Sequence, residues 1–388
     1  MKILGILNSE ILDACTAYRC VYPLNAMKMS GVETGFMTKE ELADLVSKGE
    51  YPGADVILFQ RLLSGTKDAD FSLPYILRAA GYSTVVDYDD DYTNEYRKVH
   101  DGFLPDISGF SAVTVSTPFL KGRMNRLNRN VTVIPNYVPM EMFHGFKRVI
   151  PELTIGLTGS VTHKEDWKVV YEPIRAILEK YPHVRVFCSG HVPDELRGHG
   201  KVITIKDIDS SIRQDPDNLF IPLSQYGFIL RQIDILLCPV SPADKFNWSK
   251  SALKAIEGQA SSRAVGNDLG GCAVIASEDV PCYQPVIKNR NTGLFVKHFD
   301  EQAWFSSIEQ LVINDALRHS IQVNGFQSCS KNFSLNKRYI EYVAAYSSFI
   351  RRDKKNSSKT LSKVADLLSK NPQLVSGQNP LLADGEIN

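Results

Sequence analysis

Lys250, Ser251 and Glu257 place a cation, a hydroxyl and a carboxylate at a spacing that suits recognition of a nucleoside diphosphate. Apolar runs on either side predict buried strands, and the apolar spacing between them predicts a helix with Ser249 or Ser251 as its N-cap. A helix start offers free backbone N–H groups and a dipole that favours an anion. Glu257 would lie roughly 10 Å further along the axis, within reach of a sugar hydroxyl. The alternative is an amphipathic core helix with a solvated lysine.

A glycine turn early in the second half of the chain is another candidate for phosphate binding. The run Leu153–Asp166 predicts a strand, a turn at Gly159 and Ser160, and a helix that begins near Asp166. Gly159 lets the backbone approach a ligand closely, and the amides after Ser160 can form an anion-binding concavity. The run is neither a Walker loop nor a GxGxxG dinucleotide fingerprint. His163 can hydrogen-bond a phosphate or a sugar; the alternative is a solvated loop histidine.

Carboxylates crowd the end of a third predicted strand. Residues 83–86 predict that strand, and Asp87, Asp89, Asp90 and Asp91 follow it directly. Like charges so close together raise some of the carboxyl pKa values unless a cation or a hydroxyl partner is present. Clusters of this kind are usually functional, so Asp89 and Asp90 are candidates for contact with a ligand. The alternative is a solvated acidic turn.

Two arginines lie where ligands of parallel sheets bind. Arg61 ends the apolar run 54–60, and the carboxyl ends of parallel strands face the ligand crevice. Arg19 lies on a predicted helix after the first strand, and its planar guanidinium can meet a phosphate or the acceptor. The alternatives are a surface cap for Arg61 and a helix-surface position for Arg19.

The run 246–257 resembles the donor-binding helix of retaining glycosyltransferases of family 4 (glycosyl transferases group 1), which have the two-domain GT-B architecture. It is similar to a bacterial and phage subgroup with Lys-Ser, then Lys, then Glu at this spacing. The Gly-Ser, His and Asp within 159–166 and the Val-Ile-Pro-Asn of 133–136 also resemble that family. The first glutamate of the family's usual pair is absent, and Ser249 and Lys250 stand there. The resemblance covers most of residues 1–345.

This resemblance implies an α/β fold of GT-B type, with two doubly wound Rossmann-like domains facing a cleft. It also implies transfer of a hexosyl or pentosyl group to an acceptor hydroxyl with retention of configuration. The donor is a nucleotide sugar, UDP- or GDP-linked, and neither a further cofactor nor a metal is expected. The implied donor-binding residues are Gly159, Ser160, Ser251, Glu257, Arg61 and Arg19. The implied catalytic residues are Asp89, Asp90, Lys250 and His163.

The predicted domains follow the two rounds of strand–helix alternation. Residues 1–150 are expected to form an acceptor-side Rossmann-like domain, with a hinge at about 137–151. Residues 151–334 are expected to form the nucleotide-sugar-binding domain. A helix at 335–352 is expected to cross back to the first domain, and residues 353–388 to form a loosely ordered tail.

The composition of the 388-residue chain narrows the class of protein and its compartment. Its formal net charge is zero, so no overall field draws it toward nucleic acid or an anionic membrane. The seven cysteines are scattered without a zinc or CxxC spacing, as is typical of thiols in a reducing compartment. The sequence shows neither a signal peptide nor a membrane-spanning run, so a cytoplasmic protein is expected.

Three alternative functions stay open at this point. A sugar-nucleotide epimerase of GT-B type would share the donor site, and a non-catalytic α/β protein would bind the nucleotide without turnover. A phage enzyme of the subgroup could instead glycosylate modified bases in DNA, for which Arg123, Arg126 and Arg129 supply a local basic patch. The sequence leaves the acceptor open among a glycan, a lipid-linked glycan, a protein and modified DNA. The metal-binding Asp-x-Asp of the GT-A architecture is disfavoured for the acidic turn, because a second nucleotide-binding half follows it.

Overall fold

A computed structural model of the chain describes residues 1–7, 13–61, 72–91, 107–145, 147–210 and 223–353. These residues form two compact units. The first consists of Met1–Pro135 and the chain from Tyr339 onward, and the second of Asn136–Arg338. The predicted tail lies, apart from its first residue, outside the described residues.

The first unit is built around a parallel sheet of six described strands. The strands are β1 (Lys2–Leu7), β2 (Glu33–Thr38), β3 (Val56–Gln60), β4 (Ser83–Tyr88), β5 (Ala112–Val115) and β6 (Val131–Val133). The helices are α1 (Ala14–Thr16), α2 (Tyr22–Met27), α3 (Lys39–Ser47), α4 (Ser72–Ala79) and α5 (Pro118–Met124), with a π-helical turn at Ala17–Val21. Residues of β1, β3, β4 and β5 pack with apolar residues of α3, α4 and α5 in one hydrophobic core.

The order of strands in this sheet is β2-β1-β3-β4-β5-β6. The chain therefore moves outward from β1 in one direction to β2 and in the other direction from β3 onward. Ligands of open α/β sheets bind at the carboxyl ends of the strands beside such a reversal. In this unit the reversal lies between β1 and β3, so the described residues at the carboxyl ends of β1, β3 and the adjacent β4 are placed to form a site.

The second unit contains another parallel sheet of six described strands and a short antiparallel hairpin. The strands of the sheet are β7 (Leu153–Gly159), β8 (Val184–Gly190), β9 (Val202–Thr204), β10 (Ile235–Cys238), β13 (Ala273–Ser277) and β14 (Leu294–Val296). The hairpin is β11 (Arg263–Val265) with β12 (Asp268–Gly270). The helices are α6 (Met140–Phe143), α7 (Lys164–Lys180), α8 (Ile205–Ile208), α9 (Leu223–Leu230), α10 (Leu253–Ala260), α11 (Glu301–Ile313) and α12 (Asp315–Asn332). Helix α13 (Leu335–Asp353) begins in this unit, and from Tyr339 its residues belong to the first.

The order of strands in the second sheet is β14-β13-β10-β7-β8-β9. Its reversal lies between β7 and β10, which pair in register through Ile155 and Ile235. The turn after β7 and the segment between β10 and α10 therefore end at the same point of the sheet. These are the two stretches in which the sequence predicts phosphate binding.

Helix α10 begins later than predicted. It starts at Leu253, its N-cap is Ala252, and no side chain caps it. The hydroxyl of Ser249 donates to Phe246 O at 2.6 Å, and that of Ser251 accepts from Asn136 at 2.8 Å. The prediction of a serine N-cap is therefore wrong, because both hydroxyls have other partners. A short 3₁₀ turn at Lys245–Trp248 occupies part of the expected helix.

Candidate functional site

Gly159, the last residue of β7, lies at the centre of the candidate site. Its φ of +143° belongs to a conformation that side chains disfavour. A Cβ at this position would lie 2.9 Å from His163 Cδ2, 3.2 Å from Trp167 Cζ2 and 3.3 Å from Lys254 Nζ. The side chains of a histidine, a tryptophan and a lysine thus converge on a point that only a glycine leaves open.

A second glycine fixes this turn from the neighbouring strand. Gly190 ends β8 with a φ of +94°, and a Cβ there would lie 2.2 Å from Gly159 O. Its successor, His191, donates its backbone N–H to the same carbonyl at 2.9 Å. Gly190 therefore holds the Gly159 turn in place through close backbone packing that no larger residue permits.

Lys254, on the first turn of α10, was not among the predicted site residues. Its ammonium lies 5.6 Å from the centroid of the Trp167 ring and makes no hydrogen bond or ion pair among the described residues. Burial lowers the pKa of Lys254 to about 8. A half-buried ammonium without a carboxylate partner beside a glycine turn is suited to bind an anion. Its position one helical turn after Lys250 was the available signal.

Lys250, by contrast, has an acidic partner. Its ammonium lies 3.7 Å from Asp166 Oδ2 and 5.6 Å from the centroid of the Phe246 ring. The other oxygen of Asp166 accepts from Ser241 N at 2.8 Å and from Asn247 Nδ2 at 3.0 Å. Burial alone would raise the pKa of Asp166, but the hydrogen bond to His163 and the charge of Lys250 outweigh it and lower the pKa. Asp166 therefore stays ionised and ties the segment after β10 to the start of α7.

His163 lies between these charges. Its Nδ1 is 3.3 Å from Asp166 Oδ2, and its ring stacks on Trp167 at 6.1 Å with an interplanar angle of 8°. The charge of Lys254 is the largest cause, followed by burial, of a fall in the pKa of His163 to about 4. The imidazole is therefore neutral at physiological pH and can serve as a hydrogen-bond partner rather than as a charge.

The other predicted donor-binding residues occupy neighbouring positions. The hydroxyl of Ser160 lies 2.7 Å from that of Thr162, and Ser160 precedes the 3₁₀ turn Val161–His163. Glu257 lies on α10, one turn after Lys254, and is 6% exposed. Burial and the charge of Glu257 raise the pKa of Tyr226, whose hydroxyl donates to Thr158 Oγ1 at 3.4 Å. The contact of Glu257 with a ribose stays a prediction.

In the first unit, Asp89 and Cys15 meet at the carboxyl ends of the strands. One oxygen of Asp89 is buried without a hydrogen-bond partner among the described residues, and Cys15 hydrogen-bonds the carboxyl group. Burial raises the pKa of Asp89, and it also raises that of Cys15, so the thiol stays protonated. Arg61 has a φ of +49° and donates to Asp13 at 3.0 Å, and Asp90 is half-buried beside Asp89. This cluster is a second candidate site.

Arg19 does not line either site, and the prediction that it binds a ligand is wrong. Its side chain is fully buried, and its Nε and Nη2 donate to both oxygens of Asp87 at 2.8 Å. Its Nη1 donates to Ile134 O at 2.8 Å. Thr114 donates a further hydrogen bond to Asp87 at 2.6 Å. The alternative of a helix-surface arginine is also wrong, because the π-helical turn directs this residue into the sheet.

The structure separates the acidic cluster into paired and available carboxylates. Asp87 pairs with Arg19, and Asp91 pairs with Arg123 at 2.9 Å. Both of these carboxylates are fully buried. The repulsion that the sequence suggests is thus largely relieved by arginines, and Asp89 is left with a buried oxygen that accepts no hydrogen bond from a described group.

A cavity of about 460 Å³ lies elsewhere in the second unit, at the amino ends of its strands. Its polar lining groups already have partners. Asp234 accepts from Arg148 and Arg263, and Arg318 donates to Leu311 O and Asp315. This cavity therefore lacks the unpaired donors that mark the Gly159 turn. Within the described ranges, His, Cys, Asp and Glu side chains form no group of three that could hold a metal ion.

Comparisons with known proteins add evidence on the fold. No protein-family model and no curated protein sequence matches the chain. Solved structures do match. The Anabaena protein Alr3699/HepE, in complex with UDP and glucose, aligns with a TM-score of 0.60 over 90% of this chain and 100% of its own, at 11% identity. Sucrose-phosphate synthase from Thermosynechococcus elongatus aligns with a TM-score of 0.59, 14% identity and coverage of 90% and 99%. A glycosyltransferase from Rickettsia africae aligns with a TM-score of 0.60, 14% identity and coverage of 90% and 98%.

Two α/β units, each with a six-stranded parallel sheet, define the GT-B fold of glycosyltransferases, and this chain has that fold. The fold class predicted from the sequence is thereby confirmed. No helix in the described part of the chain is both long and apolar enough to cross a membrane.

Proposed function

We propose that the protein is a glycosyltransferase that moves a hexosyl or pentosyl group from a nucleotide sugar to an acceptor hydroxyl. The observation that carries this proposal is the unpaired ammonium of Lys254 beside the Gly159 turn, at the strand reversal of the second sheet. An anionic group such as a diphosphate supplies the charge that Lys254 lacks. The GT-B fold supports a nucleotide sugar as the source of that diphosphate.

The donor is a UDP- or GDP-linked sugar bound by the second unit. The presence of UDP and glucose in the Anabaena structure favours UDP. The backbone of Gly159 and Ser160 and the start of α10 near Ser251 receive the diphosphate. Glu257, buried one turn after Lys254, contacts the ribose hydroxyls. The family 4 subgroup suggested by the sequence is consistent with this arrangement of Lys250, Ser251 and Glu257.

The reaction depends on stabilising the leaving diphosphate. As the bond between the sugar and the phosphate breaks, negative charge builds on the phosphate oxygen, and Lys254 and Lys250 neutralise it. His163 stays neutral and holds a phosphate or sugar oxygen by a hydrogen bond. The acceptor attacks from the same face, its proton passes to the leaving phosphate, and configuration is retained. Two ammonium groups take the place of a metal ion in this mechanism.

The acceptor binds to the first unit at the cluster of Asp89, Asp90 and Arg61. The buried oxygen of Asp89 that lacks a partner is placed to accept a hydrogen bond from an acceptor hydroxyl. The absence of disulfides among the seven cysteines fits the cytoplasm, where nucleotide sugars are made.

Thermal-shift and turnover measurements with nucleotide sugars test the proposal. UDP-, GDP-, ADP- and CMP-linked sugars are screened, because a ligand at a hundred times its Kd stabilises the protein by about 2.7 kcal/mol. We expect one donor class to bind, turnover to require an acceptor, and EDTA to leave the rate unchanged. Donor consumption without an acceptor would indicate an epimerase, and binding without turnover would indicate a non-catalytic protein. The absence of any shift would reject a nucleotide-sugar site.

A further inference from the structure

Trp167 differs from the other two tryptophans of the chain in what its indole N–H contacts. Trp248 donates to Pro242 O at 2.9 Å, and Trp304 donates to His298 O at 3.0 Å. The indole nitrogen of Trp167 is buried and has no acceptor among the residues that the structure describes. Buried polar groups are nearly always paired, so an unpaired donor in a candidate site points to an atom that a ligand supplies.

The indole of Trp167 is directed at the same point as Lys254. Its Cζ2, which belongs to the edge of the ring that carries the N–H group, lies 3.2 Å from the position of a Cβ on Gly159. Lys254 Nζ lies 3.3 Å from that position and 5.6 Å from the centroid of the indole ring. The ammonium of Lys254 and the indole N–H of Trp167 therefore lie at the same glycine turn, and neither has an acceptor among the described residues. A ligand group with several acceptor oxygens could pair with both.

Other buried polar atoms near Trp167 also lack a hydrogen-bond partner among the described residues. The ring of His191 lies 6.1 Å from the indole, and its Nε2 is buried without a partner in the described ranges. The hydroxyl of Ser189, on β8, is also buried and unpaired there. Ser189 and His191 border Gly190, the glycine that ends β8, so three buried polar atoms without a described partner lie close to this turn.

We propose that the indole N–H of Trp167 is a second hydrogen-bond donor to the phosphate oxygen that Lys254 binds. The inference rests on the proposed function and adds a residue to its donor site. Lys254 covers the indole in the free protein, and since its ammonium holds no hydrogen bond, an arriving anion can draw it aside without breaking one. An indole donor does not titrate, so it holds the phosphate even where Lys254 loses its proton.

The test follows the indole N–H directly by nuclear magnetic resonance of the full chain labelled with ¹⁵N-tryptophan. The three indole signals are assigned with the variants Trp248→Phe and Trp304→Phe, which identify the Trp167 signal by elimination. Inorganic pyrophosphate, UDP and uridine are then titrated separately. We expect pyrophosphate and UDP to move the Trp167 signal downfield, uridine to leave it in place, and the Trp304 signal to stay unchanged throughout.

Affinity measurements complete the test. Trp167→Phe keeps an aromatic side chain and removes the donor, so it should weaken pyrophosphate binding about tenfold, whereas Trp248→Phe should leave it unchanged. If UDP binds while the Trp167 signal and the affinity of Trp167→Phe stay the same, the inference is wrong and the proposed function stands. If pyrophosphate moves the signal but no nucleotide binds, the inference holds and the proposed function fails. Should Trp167→Phe not fold, the signal of the unchanged protein decides.

Discussion

Lys250 and Lys254 are four residues apart in the chain, yet only Lys250 has an acidic partner in the described part of the chain. Lys250 faces the ionised carboxylate of Asp166, which already offsets its charge. Lys254 lies over the ring of Trp167 and makes no ion pair among the described residues. An anion therefore gains more from Lys254, and the two side chains are expected to differ in their effect on turnover.

Lys254→Met is expected to lower kcat/KM for the nucleotide sugar by about 100-fold, the usual effect of removing one donor that stabilises transition-state charge. Lys250→Met should also lower turnover, but by less, because Asp166 offsets part of its charge. The exposed Lys245→Met serves as the control and should retain full activity. Steady-state kinetics measure the loss of kcat/KM in each variant. Equal losses in all three variants would mean that neither Lys250 nor Lys254 stabilises the charge of the leaving group.

The affinity for a nucleoside diphosphate should depend on pH through Lys254. The pKa of Lys254 in the free protein is about 8, and a bound anion raises it, so binding is strongest below that pH and weakens as pH rises through it. The ligand itself stays ionised in this range, since its last pKa is about 6. Isothermal titration calorimetry from about pH 7 to 9 checks the slope. Lys254→Arg should flatten it, because arginine keeps its charge, and an unchanged slope would contradict the assignment.

Residue types and spacing could predict many residues of this site, but not which charged side chains form ion pairs with each other. Gly159, His163 and Lys250 were identifiable because each lies next to a predicted strand end or helix start. Lys254 resembles any lysine on an amphipathic helix, and only the structure shows that it lacks a carboxylate partner. Arg19 was misassigned for the converse reason, since Asp87, which neutralises it, lies on another strand.

At the scale of elements, the buried pair of Arg19 and Asp87 joins the π-helical turn to the first sheet. Breaking one partner leaves a buried charge, so Arg19→Met is expected to lower the free energy of unfolding by about 3–5 kcal/mol. Urea unfolding measures this change. Lys48→Met, which removes an exposed pair with Asp44, is the matched control and should change stability by less than about 1 kcal/mol. A loss of nucleotide affinity without a loss of stability would restore a ligand-binding role to Arg19.

The turn that joins β7 to α7 depends on two glycines. Gly159→Ala should weaken nucleotide binding, because the added Cβ is strained at φ +143° and lies against His163 and Lys254. Gly190→Ala should lower stability as well, since its Cβ would lie 2.2 Å from Gly159 O. Gly200→Ala, with nothing within 4 Å, is the control and should match the unchanged protein. Thermal unfolding with and without UDP distinguishes the two effects.

Elements with a long apolar pattern were predictable, and their ends were less so. The helix predicted at 335–352 is observed at Leu335–Asp353, and the strand predicted from Leu153 begins there. The start of α10 was predicted too early, because neither serine caps the helix. Ser249 forms a hydrogen bond with Phe246, which precedes the helix, and Ser251 forms one with Asn136, which is distant in the sequence. The hairpin β11–β12 has only three residues per strand, too few to show an alternating pattern.

At the scale of the whole molecule, each unit has its own hydrophobic core. One core extends from Ile6 to Val131 and the other from Ile155 to Ile321, with no residue in common. The expected result is unfolding in two steps, of which a nucleotide raises the midpoint of only the second unit's step. Differential scanning calorimetry with and without UDP checks this. Arg19→Met should lower the midpoint of the first unit's unfolding step. A single transition that moves as a whole with UDP would contradict it.

The two-unit α/β architecture could be predicted, but the order of strands could not. Alternating strands and helices indicate parallel sheets, and the length of the chain suggests two of them. Which strands become neighbours depends on the path of each connection, and the local sequence does not record it. The reversal between β7 and β10, which brings Gly159 and Lys254 together, is therefore visible only in the structure.

The two sheets place their reversals differently, and this has a consequence for how the protein can evolve. In the second sheet β8 and β9 lie beyond β7 on one side of the reversal, whereas in the first sheet only β2 lies beyond β1, and it is half-buried or exposed along its length. A site that has only one strand between it and the edge of the sheet is easily reshaped by insertions at that edge. On the proposed function, we expect related proteins to diverge in the acceptors they bind, while the nucleotide site, supported on both flanks, keeps its shape.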